Sequence, residues 1–286
     1  MKTKNRTYLL MVIPAFLIFF VFHTFPAIQG IFYSFTDYKG YGSWDFVGIK
    51  NYINVFLDER ALGAYGFTFK FAITATIIVN IISVLIAIGL NANIKFRKTL
   101  RATYFLPFIL SMLIVSYIFK FIFTNFLPEI GQSLGIEALS TNILGSPEHA
   151  WIGVVILTVW QSAAFNTLLY LAGLATIDNE LYEAANIDGA GSWSKFWKIT
   201  FPLIAPFFTI NMVVAMKNFL MAFDQIIALT EGGPGTATES ISLLIYRGGF
   251  EGGQFAYQSA NAVIYFVVIV AISLIQLRVL ERREVK

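Results

Sequence analysis

Six apolar runs, each long enough to cross a bilayer, constrain this chain more than any other feature. They lie at about residues 8–35, 67–90, 102–123, 151–174, 203–223 and 261–280. A helix needs about 20 apolar residues to span the hydrocarbon core. An unpaired backbone amide finds no water there, so each run must close its hydrogen bonds within itself as a helix. The expected fold is therefore all-α, a polytopic membrane protein with six transmembrane helices. Composition agrees, since 57% hydrophobic residues with only 13% charged is far from the balance of a soluble domain. A length of 286 residues leaves room for one transmembrane domain over residues 1–286 and none for a nucleotide-binding domain. A Gly-rich Lys-Ser/Thr phosphate loop is missing as well. With no cysteine in the sequence, disulfides and thiolate metal sites are excluded.

The first run follows Lys2, Lys4 and Arg6, as a signal peptide would, but no small-residue cleavage site comes after it. It continues through His23 and Pro26 to Phe35 and reads as a retained helix kinked at Pro26. Neither an internal repeat nor a low-complexity segment is visible. Basic residues set the orientation. With the N-terminus inside, Lys2, Lys4, Arg6, Lys95, Arg97, Lys98, Arg101, Lys195, Lys198, Arg278, Arg282, Arg283 and Lys286 are cytoplasmic. Only Lys39, Lys50, Arg60 and Arg247 fall outside, thirteen against four. Both termini and the 175–202 loop are thus expected in the cytoplasm, with the chain multi-pass in the cell membrane.

That loop carries an ordered pattern: Glu183-Ala184-Ala185, Asp188-Gly189-Ala190, then Ile199, Phe201 and Pro202. Asp178 is placed to cap a short helix from Asn179 to Ile187, with Glu180 in its first turn, and Gly189 and Gly191 end it. Ser192 is placed to cap a second helix whose Trp193, Phe196, Trp197 and Ile199 suit a membrane interface, with Pro202 at the turn into the next run. The product is a bent helix pair whose small residues leave backbone near the surface, a shape suited to docking.

These residues resemble the EAA loop of ATP-binding-cassette importer permeases, which reads Glu-Ala-Ala, two residues, Asp-Gly-Ala, eight residues, Ile, one residue, Leu-Pro. Every fixed position matches except Phe201, which stands where Leu is usual. Two further stretches are similar to segments of sugar-importer permeases: Phe46-Val47-Gly48-Ile49-Lys50-Asn51-Tyr52, and Thr230-Glu231-Gly232-Gly233-Pro234-Gly235 followed by Thr238. The resemblance implies a type I ABC importer permease-like core. Its implied partners are a second homologous permease, two ATP-binding subunits docked on Glu183, Ala184, Ala185, Asp188, Gly189, Ala190, Ile199 and Pro202, and an extracytoplasmic sugar-binding protein. ATP and Mg would sit in those ATPase subunits. This chain would be non-catalytic, without a cofactor or metal of its own and without a nucleic-acid partner.

The spans themselves suggest where a solute passes. A charged side chain at the helix centre costs about 2.5 to 3.5 kcal/mol, against about 0.3 to 0.6 gained per large aliphatic residue. The fifth run contains Asn211, Lys217 and Asn218, so it must turn one face away from lipid. Asn211, Ala215, Asn218 and Ala222 share a helical stripe. Thr158, Gln161, Ser162, Phe165 and Asn166 form a comparable face in the fourth run, beside Trp160. An aromatic ring next to amides suits a sugar, which has an apolar face and hydroxyls needing partners. By the resemblance, sugar-contacting positions of the maltose-type pore fall on Thr158, Gln161, Ser162, Phe165, Ala215, Asn218, Phe219 and Ala222. Ala222 lacks the hydrogen-bonding side chain usual at its position, and one permease of such a pair can hold most of the contacts. Helix-helix packing recruits the same residue types and stands as the alternative. Asn80, Ser83 and Ala87 in the second run are read as packing.

The rival class is an ion-coupled secondary transporter or channel. Such a protein usually keeps an acidic residue at membrane depth, whereas here every Asp and Glu lies outside the six runs. Discontinuous paired helices and an inverted repeat are also not visible in the sequence. A membrane enzyme would want clustered carboxylates or histidines, and His23 and His149 share no ligand spacing.

Overall fold

The computed structural model describes the backbone of residues 2–282, and the side chains of residues 11–282 apart from Ala138. The side chains of Lys2, Lys4 and Arg6, and all of Arg283 and Lys286, lie outside the described residues. Six helices are long and apolar enough to cross a membrane: Met11–Tyr33, Glu59–Asn91, Met112–Leu134, Ala150–Leu174, Ser192–Leu220 and Phe255–Glu281. Among the described residues the extended structure is limited to an isolated antiparallel bridge between Thr36 and Phe46.

Three of the long helices share one irregularity with one cause. A five-residue π turn occupies Phe20–Thr24, Ile122–Phe126 and Phe196–Thr200. Each is followed two residues later by a proline: Pro26, Pro128 and Pro202. Proline offers no N–H, and its ring collides with the carbonyl four residues back. Widening one turn, so that the amides of Phe25, Leu127 and Phe201 bond the carbonyl five residues earlier, absorbs the proline without ending the helix. The first helix therefore continues past Pro26 through this wide turn. The fifth long helix likewise begins at Ser192 and runs through Pro202, where the sequence suggests a separate short helix and a turn.

The third span also differs from the sequence reading. Residues 102–123 do not form one helix, because Arg97–Ile109 ends in extended backbone at Leu110 and a new helix starts at Met112. Pro107 sits just before the break. Arg97 and Arg101 lie at the start of the first of these helices, and their guanidinium groups donate to the carbonyl of Leu90 at 2.9 and 3.0 Å. They satisfy the C-terminal end of the second long helix, where a cation also suits the dipole.

The chain divides into two compact units, residues 1–62 with 244–267, and residues 63–243 with 268–286. In the first unit the Phe46–Tyr52 stretch acts as a clasp. Gly48 adopts φ +62°, the left-handed turn that glycine tolerates. The Asn51 amide then donates to the carbonyls of Ser34 at 2.9 Å and Thr36 at 2.7 Å. Tyr52 and Ser34 share a hydroxyl bond of 2.6 Å. Tyr33 stacks on Tyr38 with ring centres 4.4 Å apart, and Phe255 meets both edge-on.

In the second unit a buried cluster of Val84, Ala87, Leu90, Tyr170, Leu171, Leu174, Ile177 and Ile204 joins the second, fourth and fifth long helices. Asn80 and Ser83 belong to this packing: Tyr170 donates to Asn80 Oδ1 at 2.5 Å, and Ser83 Oγ to the Ala163 carbonyl at 3.3 Å. Gly173 lets the fourth and fifth helices approach closely, since a Cβ there would lie 2.7 Å from the Phe207 ring.

Candidate functional site

Two constellations in the second unit gather the residues singled out by sequence. The first is a cavity of about 240 Å³ lined by Phe108, Leu110, Met112, Gln161, Ser162, Phe165, Asn166, Val214, Ala215, Asn218 and Phe219. Helical spacing brings Gln161, Ser162, Phe165 and Asn166 to it from the fourth long helix, and Ala215, Asn218 and Phe219 from the fifth. Thr158 and Asn211 are fully buried but do not line it. Ala222 lies beyond the fifth helix, where its carbonyl accepts from Ser240 Oγ at 2.8 Å. Asn211 instead donates to the Asn166 carbonyl at 3.3 Å, tying the two helices together.

The cavity's third wall, from Phe108 through Met112, is the helix break that the sequence reading missed. Pro107 was the available signal. Gln161 is only 6% exposed, and its amide donates to the carbonyls of both Pro107 and Leu110, at 3.2 and 2.8 Å. It thereby satisfies the groups that the interrupted helix would otherwise leave orphaned. Phe108 stacks on Phe165 at 5.2 Å, closing the apolar side. Gln161, Ser162, Asn166 and Asn218 are the polar residues of the lining. The oxygens of the Gln161 and Asn166 amides, both buried, have no hydrogen-bond partner.

The second constellation is the Glu183–Pro202 segment. Its first helix spans Asn179–Ile187, and the Asp178 carboxylate accepts from the Glu180 amide at 3.0 Å, as the sequence suggests. The helix closes with the Ala190 amide bonded to the Ala185 carbonyl at 2.8 Å, and the Gly189 amide to that of Asn186 at 3.1 Å. This double bond pattern needs a left-handed residue, which Gly189 supplies at φ +72°. Ser192 does not cap the second helix. Gly191 holds the cap position without a side-chain bond, and Ser192 is the first helical residue.

The elbow has an outer and an inner face. Glu183, Ala184, Asp188 and Gly189 are exposed, and Ile187 is 88% exposed at the tip. Ala185 is buried, while Ala190, Ile199 and Pro202 are half-buried. Tyr182, Phe196 and Ile199 pack against the buried cluster beneath. Tyr182 and Thr200 share a 2.9 Å hydroxyl bond, and Lys195 donates to Asn186 Oδ1 at 2.8 Å. The elbow is anchored from below and open above.

Six helices long and apolar enough to cross a bilayer, with a cavity between helices of the second unit and an exposed elbow at Glu183–Pro202, describe a polytopic membrane protein. A family model described as "Binding-protein-dependent transport system inner membrane component" matches residues 79–286, and the chain belongs to that family. It is 41% identical over 266 residues to the multiple sugar-binding transport system permease protein MsmF of Streptococcus mutans, covering 93% of this chain and 92% of that one. It is 35% identical over 279 residues to the probable starch degradation products transport system permease protein AmyD of Thermoanaerobacterium thermosulfurigenes, covering 98% and 95%. Its fold matches a chain of a bacterial ABC transporter involved in import of the acidic polysaccharide alginate, with TM-score 0.85, 24% identity and 98% of each chain covered. Family membership sets aside the ion-coupled alternative.

Proposed function

We propose that this chain is a membrane-spanning pore subunit of an ATP-driven importer that carries a sugar or oligosaccharide into the cell, with residues 1–286 working as one permease. The observation that carries the reading is the cavity, lined by Phe108 and Phe165 together with Gln161, Ser162, Asn166 and Asn218. Such a mixture suits a sugar ring that is apolar on its faces and hydroxylated at its edge. The relatives' sugar-transport names support it. In this reading a second homologous permease completes the pathway, and a sugar-binding protein delivers the solute on the extracytoplasmic side. Two ATPase subunits hold ATP and Mg and dock on the elbow from the cytoplasm, where the basic residues place it under the positive-inside rule. The chain itself performs no bond-breaking chemistry. Its part is to convert closure of the ATPase pair into a switch between inward-facing and outward-facing packings.

The test is ATP hydrolysis by the assembled transporter in lipid nanodiscs, with and without sugar-loaded binding protein. Stimulation by the loaded protein is expected. Hydrolysis indifferent to sugar across a panel of neutral oligosaccharides would overturn the assignment.

A further inference from the structure

We infer that this chain holds an anionic phospholipid, with an acyl chain in an apolar groove between the second and fourth long helices and the phosphate against Arg97 and Arg101. The inference concerns the surrounding bilayer rather than the transported solute, so it stands apart from the function proposed above.

The first observation is the groove, about 670 Å³ in volume. Ile78, Ile82 and Ile86 form one wall; four residues apart, they share a face of the second long helix. Val155 and Val159 line it from the fourth. The Arg97–Ile109 helix completes it with Leu100, Thr103, Tyr104 and Pro107. No charged residue is among the described residues of the lining. Both long helices are of membrane-crossing length and apolarity, so the groove lies at bilayer depth and lipid chains are the material at hand to fill it. A chain gains no hydrophobic energy by leaving bulk lipid for such a groove, because lipid tails are as apolar as its walls. Selection among lipids must therefore come from the headgroup.

The second observation is the charge at the groove's end. Arg97 and Arg101 stand three residues before Leu100 and Tyr104 respectively, on the same face of their helix. Arg97 donates to the Leu90 carbonyl at 2.9 Å and to Asn91 Oδ1 at 2.8 Å, and Arg101 donates twice to that same carbonyl, at 3.3 and 3.0 Å. Two cations thus converge on one neutral acceptor, and among the described residues neither pairs with a carboxylate. Partial burial and the Arg97 charge both pull the Arg101 pKa below the usual arginine range. A guanidinium has more N–H donors than these bonds use, so both side chains keep donors for a phosphate oxygen. A zwitterionic headgroup brings its own cation beside its phosphate, whereas a net anionic one offsets the pair.

The third observation is the order of polarity along the Arg97–Ile109 helix. The two arginines come first, then the hydroxyl-bearing Thr103 and Tyr104, then Pro107. A phospholipid presents phosphate, ester linkages and hydrocarbon in the same order. At about 1.5 Å per residue, Arg97 to Pro107 covers about 15 Å, half of the roughly 30 Å hydrocarbon core and so the depth of one leaflet.

The experiment uses the full transporter in phosphatidylcholine nanodiscs, doped with a lipid brominated on its acyl chains. Bromine quenches tryptophan fluorescence on contact, and Trp160 lines the groove. The readout is the quenching that Trp160→Phe removes, so that other tryptophans do not contribute. Brominated phosphatidylglycerol is expected to reach half of this quenching at a share at least about tenfold lower than brominated phosphatidylcholine, since each of the two cations is worth about fivefold toward an anionic lipid. Arg101→Gln is expected to reduce that preference by about fivefold and Arg101→Lys to keep it, which separates charge from the bonds to Leu90. Thr103→Phe fills the groove and is expected to remove the quenching with both arginines in place. Equal quenching by the two lipids, or a preference unchanged by Arg101→Gln, would overturn the inference. So would quenching that survives Thr103→Phe, or quenching by neither lipid, the result if a second permease covers the groove.

Discussion

Gly189 offers the sharpest test of the elbow as the coupling element, because its surroundings isolate a single energy term. Its φ is +72°, and a Cβ built on it meets nothing within 4 Å. A larger side chain therefore costs no packing clash, only the left-handed backbone, about 1 to 2 kcal/mol for an ordinary residue. A β-branched side chain is still less tolerated there. Gly189→Val should thus deplete the closed elbow by about 5- to 30-fold or more. The bonds at stake are the Ala190 to Ala185 and Gly189 to Asn186 closures of 2.8 and 3.1 Å. Gly189→Asn should retain most function, since Asn enters the left-handed region readily. Ser192→Ala is the control. Ser192 is exposed and holds no cap bond, so its loss should fall within about 0.5 kcal/mol. The assay is sugar-stimulated ATP hydrolysis with subunit co-purification, at matched membrane levels of the permease. If Gly189→Val behaves like Ser192→Ala, the left-handed turn is not needed for coupling and the reasoning fails.

Three further outcomes are expected. Glu183→Ala should reduce ATPase co-purification by about thirtyfold or more, because removing one member of a buried interfacial charge pair typically costs about 2 to 5 kcal/mol; unchanged co-purification would show that Glu183 is not buried against the ATPase. Asn51→Ala should lower the thermal unfolding temperature, since its two bonds to Ser34 and Thr36 leave carbonyls behind at about 1 to 3 kcal/mol; an unshifted transition would show that the clasp does not hold the first unit. Burial alone would push the Asp58 carboxyl up, but the Tyr257 hydroxyl, the amides of Ala61 and Arg60 and the charge of Arg60 together hold it below the usual carboxylate range. A depressed pKa stabilises the fold above the ordinary carboxylate value of about 3.9, and this contribution is lost as pH falls below it. Tyr257→Phe removes a 2.7 Å bond to that carboxylate and should move acid unfolding, followed by intrinsic fluorescence, to higher pH.

Legibility in the sequence followed from how local each determinant is. Membrane-spanning helices announce themselves because length and apolarity are both obligatory. The bounds of the Asn179–Ile187 helix were legible because its cap, Asp178, and its stop, Gly189, are single residues with one physical job each. Spacing along two helices also found Gln161, Phe165, Asn166 and Asn218, which meet at one cavity. It could not separate them from Thr158 and Asn211, whose burial depends on neighbouring helices that a period of 3.6 does not reveal. The break at Leu110 stayed hidden because apolarity continues unbroken through it. Its stabiliser, Gln161, lies 51 residues away in the chain. Pro26 reads as a kink and Pro202 as a turn, and the structure resolves each into a π turn within a continuing helix.

The central claim is that sugar crosses the membrane through this chain's assembly at the expense of ATP. The most direct measurement is uptake of radiolabelled oligosaccharide into proteoliposomes containing the full transporter, with binding protein outside and ATP sealed inside. The account predicts accumulation that requires both and that falls at least about tenfold when Phe165→Ala and Asn218→Ala are combined at the cavity, while unstimulated ATP hydrolysis persists. Accumulation that persists without ATP, or that is driven by an imposed ion gradient, would contradict it.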